Sequence, residues 1–328
     1  MQYTPVPPSL IDLIATHDLF YIVSHVDPDG DCIGSSLALG EFLTRLGKSV
    51  QYFNEGPFGR REIKEFAHFF HSGFSREHRR NKDSAVAVVL DCSTLDRIGS
   101  LADDVADMTT AVIDHHSSGR DFGDVKFINP SCPSTSLLVQ QLIESLGEKP
   151  TLKESEYIFF AFATDTGFFR HLGENSQASF QLVAKLVEAG ASPRRMYEQI
   201  SSGVSLESRQ HLGMLLNRVE SHFQGKFLYT WENLQEINSY GRTNRDSDSL
   251  YQQLMNVEGV EILLVLREEE PGKAAGSIRT REVIDAGKLA ARFGGGGHAR
   301  AAGFLSDLSV EETRKQVFPV IEKLLSSL

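Results

Sequence analysis

Short apolar runs closed by polar residues alternate with helix-period stretches through the first 190 residues. Leu19–Val23, Lys48–Phe53, Ala85–Leu90 and Thr110–Ile113 read as strands. Ala85–Leu90 is continuously apolar, the pattern of a parallel strand buried on both faces. Between these runs, Ile33, Leu37, Gly40, Leu43 and Leu46 recur at helical spacing and Gly47 offers a C-cap. The same spacing predicts helix over Gly59–Phe74, Ser134–Leu146, Glu154–Thr164 and Gln177–Glu188. Strands alternating with helices predict an α/β domain: a parallel sheet with helices on both faces, residues 1–190. Residues 191–222 are polar and helical with no strand signal, and read as a connector. A smaller α/β domain, 223–328, follows. Its strands are Lys226–Trp231, Val260–Leu266 and Ala274–Thr280, its short helix Ala286–Phe293, and its closing amphipathic helix Val310–Leu328, kinked at Pro319.

Composition narrows the class. With 328 residues, 41% hydrophobic and 23% charged, the chain reads as a soluble globular enzyme with two cores. No apolar run approaches the ~20 residues of a membrane helix. Met1–Leu10 lacks a basic start and is broken by Pro5, Pro7 and Pro8, so no signal peptide is expected. Cys32, Cys92 and Cys132 form no CxxC, which points to a reducing cytoplasm rather than a disulfide framework. A net charge of −11 argues against a grip on long duplex nucleic acid. Small phosphorylated ligands stay open, since a few arginines can hold a phosphate. The basic groups Arg60-Arg61 and Arg79-Arg80-Lys82 read as solvated surface.

The candidate chemistry sits at strand ends. His25-Val26-Asp27-Pro28-Asp29-Gly30-Asp31 places one imidazole and the carboxylates Asp29 and Asp31 on a strand-to-helix turn. Open α/β sheets bind their ligands there. The alternative is a polar turn punctuated by Pro-Asp-Gly. Asp91 ends the Ala85–Leu90 run and Asp114-His115-His116 the Thr110–Ile113 run. Three strands closing on metal-capable residues favour a metal site. Histidine nitrogen with several hard oxygens suits Mn²⁺, with Mg²⁺ or Co²⁺ as alternatives.

Together, the HxxxDxD stretch, the strand-ending Asp91, Asp114-His115-His116 and Asp165-Thr166-Gly167 resemble the DHH phosphoesterase superfamily. Gly294-Gly295-Gly296-Gly297-His298 with Ala301-Ala302-Gly303 resembles its DHH-associated substrate-binding domain. The motif set is similar to the bacterial oligoribonucleases that also act on 3′-phosphoadenosine 5′-phosphate (pAp). The resemblance implies two divalent ions. His25, Asp29 and Asp91 would hold one, and Asp31, Asp91, His115 and Asp165 the other, with Asp91 bridging. His116 is left to stabilise charge at the phosphate. Asp114 either orients a histidine or is a plain strand-end hydrogen-bonding residue. Arg279, in Ser277-Ile278-Arg279-Thr280, matches the family's phosphate clamp, and Gly294, Gly295, Gly296, Gly297 and His298 would approach a phosphate through backbone N–H groups. Arg300 is a weaker candidate. Cys32 and Cys92, beside metal ligands, are expected as small packing residues. Asp27 stands where the family commonly has an amide.

These features imply a metal-dependent hydrolase of short oligoribonucleotides and pAp, its substrate lying in a cleft between the domains. The alternatives are a cyclic-dinucleotide or pApA phosphodiesterase, an inorganic pyrophosphatase, and a non-catalytic nucleotide sensor. The expected partners are short RNA and phosphorylated nucleotides, with no membrane; the choice between monomer and homodimer stays open.

Overall fold

The computed structural model describes residues 4–117 and 122–326. The chain divides into two compact units, Met1–Gly203 and Val204–Leu328. Among the described residues, no helix is long and apolar enough to cross a membrane. Met1–Tyr3, at the start of the stretch considered for a signal peptide, and the last two residues of the expected closing helix lie outside the described residues.

The first unit is built on a six-stranded, wholly parallel sheet. Its strands are β1 (Leu19–Ser24), β2 (Ser49–Phe53), β3 (Phe70–His71), β4 (Ala85–Leu90), β5 (Thr109–Asp114) and β6 (Val125–Ile128), in spatial order β3-β2-β1-β4-β5-β6. The alternation of the strands explains why both faces are covered. Phe20, Ile22, Val86, Val88, Leu90, Ala111 and Ile113 enter one core, whereas Tyr21, Val23, Ala85, Ala87, Val89 and Val112 enter the other. The larger face is covered by α1 (Pro8–Thr16), α2 (Gly30–Arg45), α5 (Thr135–Ser145), α6 (Leu152–Asp165) and α7 (Gln177–Glu188). The short helices α3 (Arg76–Arg80) and α4 (Leu101–Val105) lie in the segments around the smaller face, and α8 (Pro193–Ser201) packs on α6.

The packing of α2 on α6 has a specific cause. A Cβ on Gly30 would collide with the Thr164 side chain, and one on Gly34 would stand 2.7 Å from both Ala161 Cβ and Tyr157 O. Two glycines one turn apart let the helices touch backbone to side chain. The start of α2 therefore lies against the end of α6.

The second unit carries a mixed sheet in the order β11-β12-β10-β9-β8-β7. Its strands are β7 (Glu220–His222), β8 (Phe227–Glu232), β9 (Ile262–Glu270), β10 (Lys273–Thr280), β11 (Gly296–His298) and β12 (Ala301–Ser306), with only β8–β9 parallel. Phe227, Tyr229, Ile262, Leu264 and Ile278 pack against α12 (Ala286–Ala291) and α13 (Val310–Leu325). Leu228, Leu263 and Val265 face α9 (Leu206–Asn217) and α11 (Ser247–Met255), and α10 (Leu234–Tyr240) lies beside β9.

Two expectations need correction, and one strand goes beyond them. The stretch from Gly59 to Phe74 is not an α-helix: a 3-10 segment, Arg61–Phe69, gives way to β3, which pairs with β2. The polar connector contains a strand after all, because β7 adds to the edge of the second sheet beside β8. The Ala301-Ala302-Gly303 stretch, which has poor strand propensity, is β12. It is drawn into the sheet by β10, and Phe304 fills the space over Gly276. The closing helix does contain Pro319 in its interior.

Candidate metal centre

In the order 3-2-1-4-5-6, the sheet grows outward from β1 in one direction and from β4 in the other. A crevice opens between the carboxyl ends of these two strands. His25 follows β1, Asp91 follows β4, and Asp114 ends β5 with His115 next. Asp29 is the N-cap of α2, its side chain accepting from Cys32 N at 3.0 Å, and Asp31 lies in the first turn of that helix. Asp165 is the last residue of α6, delivered by the α2–α6 contact. The fold thus brings all six expected ligand residues to one end of one sheet.

Three overlapping donor groups result, one of them Asp91 with His115 and His116. Ligand atoms of His25, Asp29 and Asp91 lie within 4.8 Å of one another, and so do those of Asp31, His115 and Asp165. Asp91 faces both: its Oδ2 is 3.5 Å from His25 Nε2, and its Oδ1 is 3.6 Å from His115 Nε2. Around His115 Nε2, Asp165 Oδ2 stands at 3.6 Å and Asp31 Oδ2 at 3.9 Å. Such spacings are too long for hydrogen bonds and leave room for a cation among the donors. Asp91 has a left-handed backbone, φ 61°, with its N–H donating to Ile113 O at 3.0 Å. A strained turn at a strand end directs its carboxylate into the crevice.

A further layer fixes these side chains. Asp31 accepts from Thr135 N (2.7 Å), Ser136 N (3.1 Å) and Ser35 Oγ (3.1 Å), so it sits at the N-terminus of α5. Thr135 Oγ1 donates to Asp91 Oδ1 at 2.9 Å. The ring Nδ1 of His25 lies 2.9 Å from Val26 O, and that of His115 lies 3.1 Å from Cys132 O. With Nδ1–H donated to a carbonyl, Nε2 is the nitrogen free to bind a metal. Thr135, Ser136, Ser35 and Cys132 escaped the reading of the sequence; Ser134-Thr135 at a helix start was the one signal pointing to them.

Electrostatics agree with a cation-binding role. Burial, then Asp165, push Asp31 up to about 7, and burial with Asp29 pushes Asp165 up to about 6. Burial and the carboxylates of Asp31, Asp29 and Asp165 hold Asp91 well above the usual range. Asp31, Asp91 and Asp165, so crowded, resist ionising together unless positive charge joins them. The donor set of two imidazoles and four carboxylates fits a pair of divalent cations.

Asp114 and His116 form a hydrogen-bonded pair. Asp114 is fully buried and accepts from His116 N at 3.1 Å, and its Oδ1 lies 2.8 Å from His116 Nδ1. Burial pushes the Asp114 carboxyl up, but the His116 hydrogen bonds outweigh it and hold it below the ordinary value. The same bond raises the half-exposed His116 imidazole. Asp114 therefore orients His116, while His115 is oriented by a carbonyl. His116 Nδ1 is also 3.8 Å from Asp91 Oδ1, and His116 belongs to the donor group with Asp91 and His115. Cys32 and Cys92 are buried, and burial raises both thiols, so they pack as unreactive small side chains.

In the second unit, the Arg279 guanidinium carbon lies 4.1 Å over the Tyr251 ring, and Arg279 Nη1 donates to Ile278 O at 3.0 Å. Register pairs Arg279 with Ala301 and Ala301 with His298. The three residues thus share one face across three strands, with a small alanine between the arginine and the histidine, whose strands are roughly 10 Å apart by strand spacing. The glycines divide by role. Gly294 N and Gly295 N already donate to Ala291 O and Ala290 O. A Cβ on Gly295 would collide with Gly303 O, and one on Gly297 would lie 2.6 Å from Ala301 O. A Cβ on Gly296 would meet nothing within 4 Å. Gly296, Gly297 and His298 form β11, the exposed edge strand. Arg300 is exposed, with Nη2 3.3 Å from Glu282 Oε1.

Comparison with known proteins places this arrangement. The bifunctional oligoribonuclease and PAP phosphatase NrnA of Thermus thermophilus is 29% identical over 317 residues, 96% of this chain and 92% of that protein. The protein of the same name from Bacillus subtilis is 23% identical over 300 residues, 90% of this chain and 91% of its own. The crystal structure of an exopolyphosphatase-related protein from Bacteroides fragilis superposes with a TM-score of 0.81 at 25% identity, covering 98% of this chain and 95% of that one. Residues 19–164 match the N-terminal domain of the DHH family and residues 224–326 the DHHA1 domain, so the chain belongs to the DHH phosphoesterase family.

Proposed function

We propose that the chain hydrolyses short oligoribonucleotides to mononucleotides and pAp to AMP, using two divalent cations, Mn²⁺ in the first instance. His25, Asp29 and Asp91 would hold one ion, and Asp31, Asp91, His115 and Asp165 the other. The main support is Asp91, a buried carboxylate whose two oxygens face two histidines from opposite sides at 3.5 and 3.6 Å. Bound in this way, the ion pair supplies an activated water and polarises the phosphate for in-line displacement. The chain's own contribution lies in orientation. Thr135 and Ser136 fix Asp31, Thr135 fixes Asp91, and Asp114 holds His116 with Nε2 available to a phosphoryl or leaving oxygen.

In this reading Arg279 and His298 hold a substrate phosphate on the second unit, with Gly296 giving close backbone access. The names of the Thermus and Bacillus relatives support the choice of substrate. So does the charge of −11, because two divalent cations offset the four carboxylates of the site and leave little attraction for a long polyanion. The test is a panel of pAp, a di- and a trinucleotide, pApA, cyclic di-AMP and pyrophosphate, each incubated with protein and Mn²⁺. Release of mononucleotides from the oligomers and AMP from pAp is expected. Turnover of pyrophosphate alone, or of cyclic di-AMP alone, would overturn the proposal.

A further inference from the structure

One face of the second sheet is only half covered. Leu263 and Val265 of β9 pack under α9 and α11, whereas Gly303 and Leu305 of β12 and His298 of β11 are exposed. Between them runs β10, whose register puts Ser277 and Arg279 on that same face. Tyr251 of α11 meets β10 at this boundary: the Arg279 guanidinium carbon lies 4.1 Å from its ring centre, and Arg279 Nη1 donates to Ile278 O at 3.0 Å. The arginine head group is thus held at two points. Tyr251 is itself buried, and its hydroxyl accepts from Arg267 Nη1 at 2.9 Å. The same nitrogen donates to Ser277 Oγ at 3.2 Å, and Arg267 Nη2 donates to Ser247 Oγ at 3.3 Å. Arg267 therefore ties α11 to β10, and the serine two positions before Arg279 belongs to that tie.

Charge sets Arg279 apart from its neighbours. Arg267 Nε lies 3.6 Å from Oε1 of the fully buried Glu232, and Arg245 Nε donates to that oxygen at 2.7 Å. Arg245 Nη1 and Arg242 Nη1 pair with Glu269 at 2.9 and 2.6 Å. Among the described residues Arg279 has the ring and the carbonyl and no carboxylate partner. An aromatic face steadies a guanidinium without neutralising it, so the N–H edge stays available to an anion and less rotamer freedom is lost on binding. Building on the reading above that Arg279 holds a substrate phosphate, we propose that Tyr251 is a positioning residue for phosphate binding: its ring, anchored through the hydroxyl by Arg267, fixes the Arg279 guanidinium in the orientation that receives the phosphate of a nucleoside monophosphate.

When pAp is hydrolysed to AMP, the phosphate that remains is the one assigned to Arg279, so AMP is the probe and adenosine, which lacks it, the control. Wild type, Tyr251→Leu, Tyr251→Phe, Arg279→Ala and the double variant of Tyr251→Leu with Arg279→Ala are titrated with each in Mn²⁺. Tyr251→Leu should bind AMP about tenfold more weakly and adenosine within about twofold of wild type, and should raise KM for pAp about tenfold with kcat within about threefold. Tyr251→Phe keeps the ring and stays within about threefold of wild type for AMP. Because Tyr251 acts through Arg279, adding Tyr251→Leu to Arg279→Ala changes AMP affinity by less than about twofold. NMR reads the contact without any ligand: the Arg279 δ-proton resonances lie upfield, shifted by the ring current, in wild type and Tyr251→Phe, and return to their ordinary position in Tyr251→Leu. Equal weakening by Tyr251→Leu with and without Arg279, or equal losses on AMP and adenosine, would overturn the proposal. So would unshifted Arg279 resonances in wild type, a result that stands even if Tyr251→Leu does not fold. Weak AMP binding in Arg279→Ala with full affinity in Tyr251→Leu removes Tyr251 alone. Full affinity in Arg279→Ala removes the placement of the phosphate and the proposal with it, while turnover of pAp tests the hydrolase reading separately.

Discussion

Asp91→Asn separates a ligand role from a structural one, because the two predict opposite changes in stability. The side chain is 2% exposed and its charge is opposed by Asp31, Asp29 and Asp165. Burial first, and crowding with it, can be sized together from Asp31, whose pKa is carried from 3.8 to about 7, a penalty on its ionised form of about 4 kcal/mol at ~1.4 kcal/mol per pKa unit. Removing one of the mutually repelling charges should return a fraction of this, about 1–2 kcal/mol, to the metal-free protein at pH 8. Asparagine keeps an acceptor for Thr135 Oγ1, so the hydrogen bond at 2.9 Å survives. In a unit of this size the gain raises Tm by roughly 3–6 °C. Hydrolysis should fall by about 10³-fold or more, since a ligand shared by both donor groups is weakened. The assay pairs thermal melts in EDTA with turnover in Mn²⁺. A metal-free variant that melts lower than wild type, or one that keeps turnover within about tenfold, would refute the reasoning.

Raised carboxyl pKa values also set a pH dependence. With Asp31 at about 7 and Asp165 at about 6, both above the unfolded value of 3.8, the metal-free folded state holds more protons than the unfolded state. Its stability should therefore fall as pH rises from about 4 to 7, while apparent Mn²⁺ affinity rises through pH 6–7; melts in EDTA and calorimetric titrations check both signs. Gly30→Ala forces α2 away from Thr164 and carries Asp165 with it, so it should cost about 1–3 kcal/mol of stability by overpacking and lower Mn²⁺ affinity as well. A variant with full Mn²⁺ affinity would show that the close α2–α6 contact does not position Asp165. Gly295→Ala meets Gly303 O and should destabilise the second unit in denaturant melts, whereas Gly296→Ala, with open space around it, should leave stability unchanged within about 0.5 kcal/mol and alter only KM.

The sequence displayed the strands that matter most because their apolar runs end abruptly in His25, Asp91 and Asp114-His115, and a parallel sheet puts such ends together. Less visible were elements whose identity depends on partners. The apolar spacing of Gly59–Phe74 suits an α-helix, yet Phe70–His71 is recruited as an edge strand by β2. Ala301–Ser306 has little strand propensity of its own and becomes β12 through pairing with β10 and β11. At the site, the left-handed turn of Asp91 and the hold of Thr135 on both Asp31 and Asp91 join positions 44 and 104 residues apart. The approach of Asp165 depends on two glycines in another helix. No local pattern around any of these residues encodes that geometry.

The most direct measurement of the central claim is anomalous scattering from crystals of the wild-type protein soaked in Mn²⁺. The account predicts two peaks, roughly 3.5–4 Å apart, on either side of the Asp91 carboxylate, one beside His25 and Asp29 and the other beside Asp31, His115 and Asp165. A single peak that Asp91 does not touch, or Mn²⁺ bound only elsewhere on the chain, would contradict it.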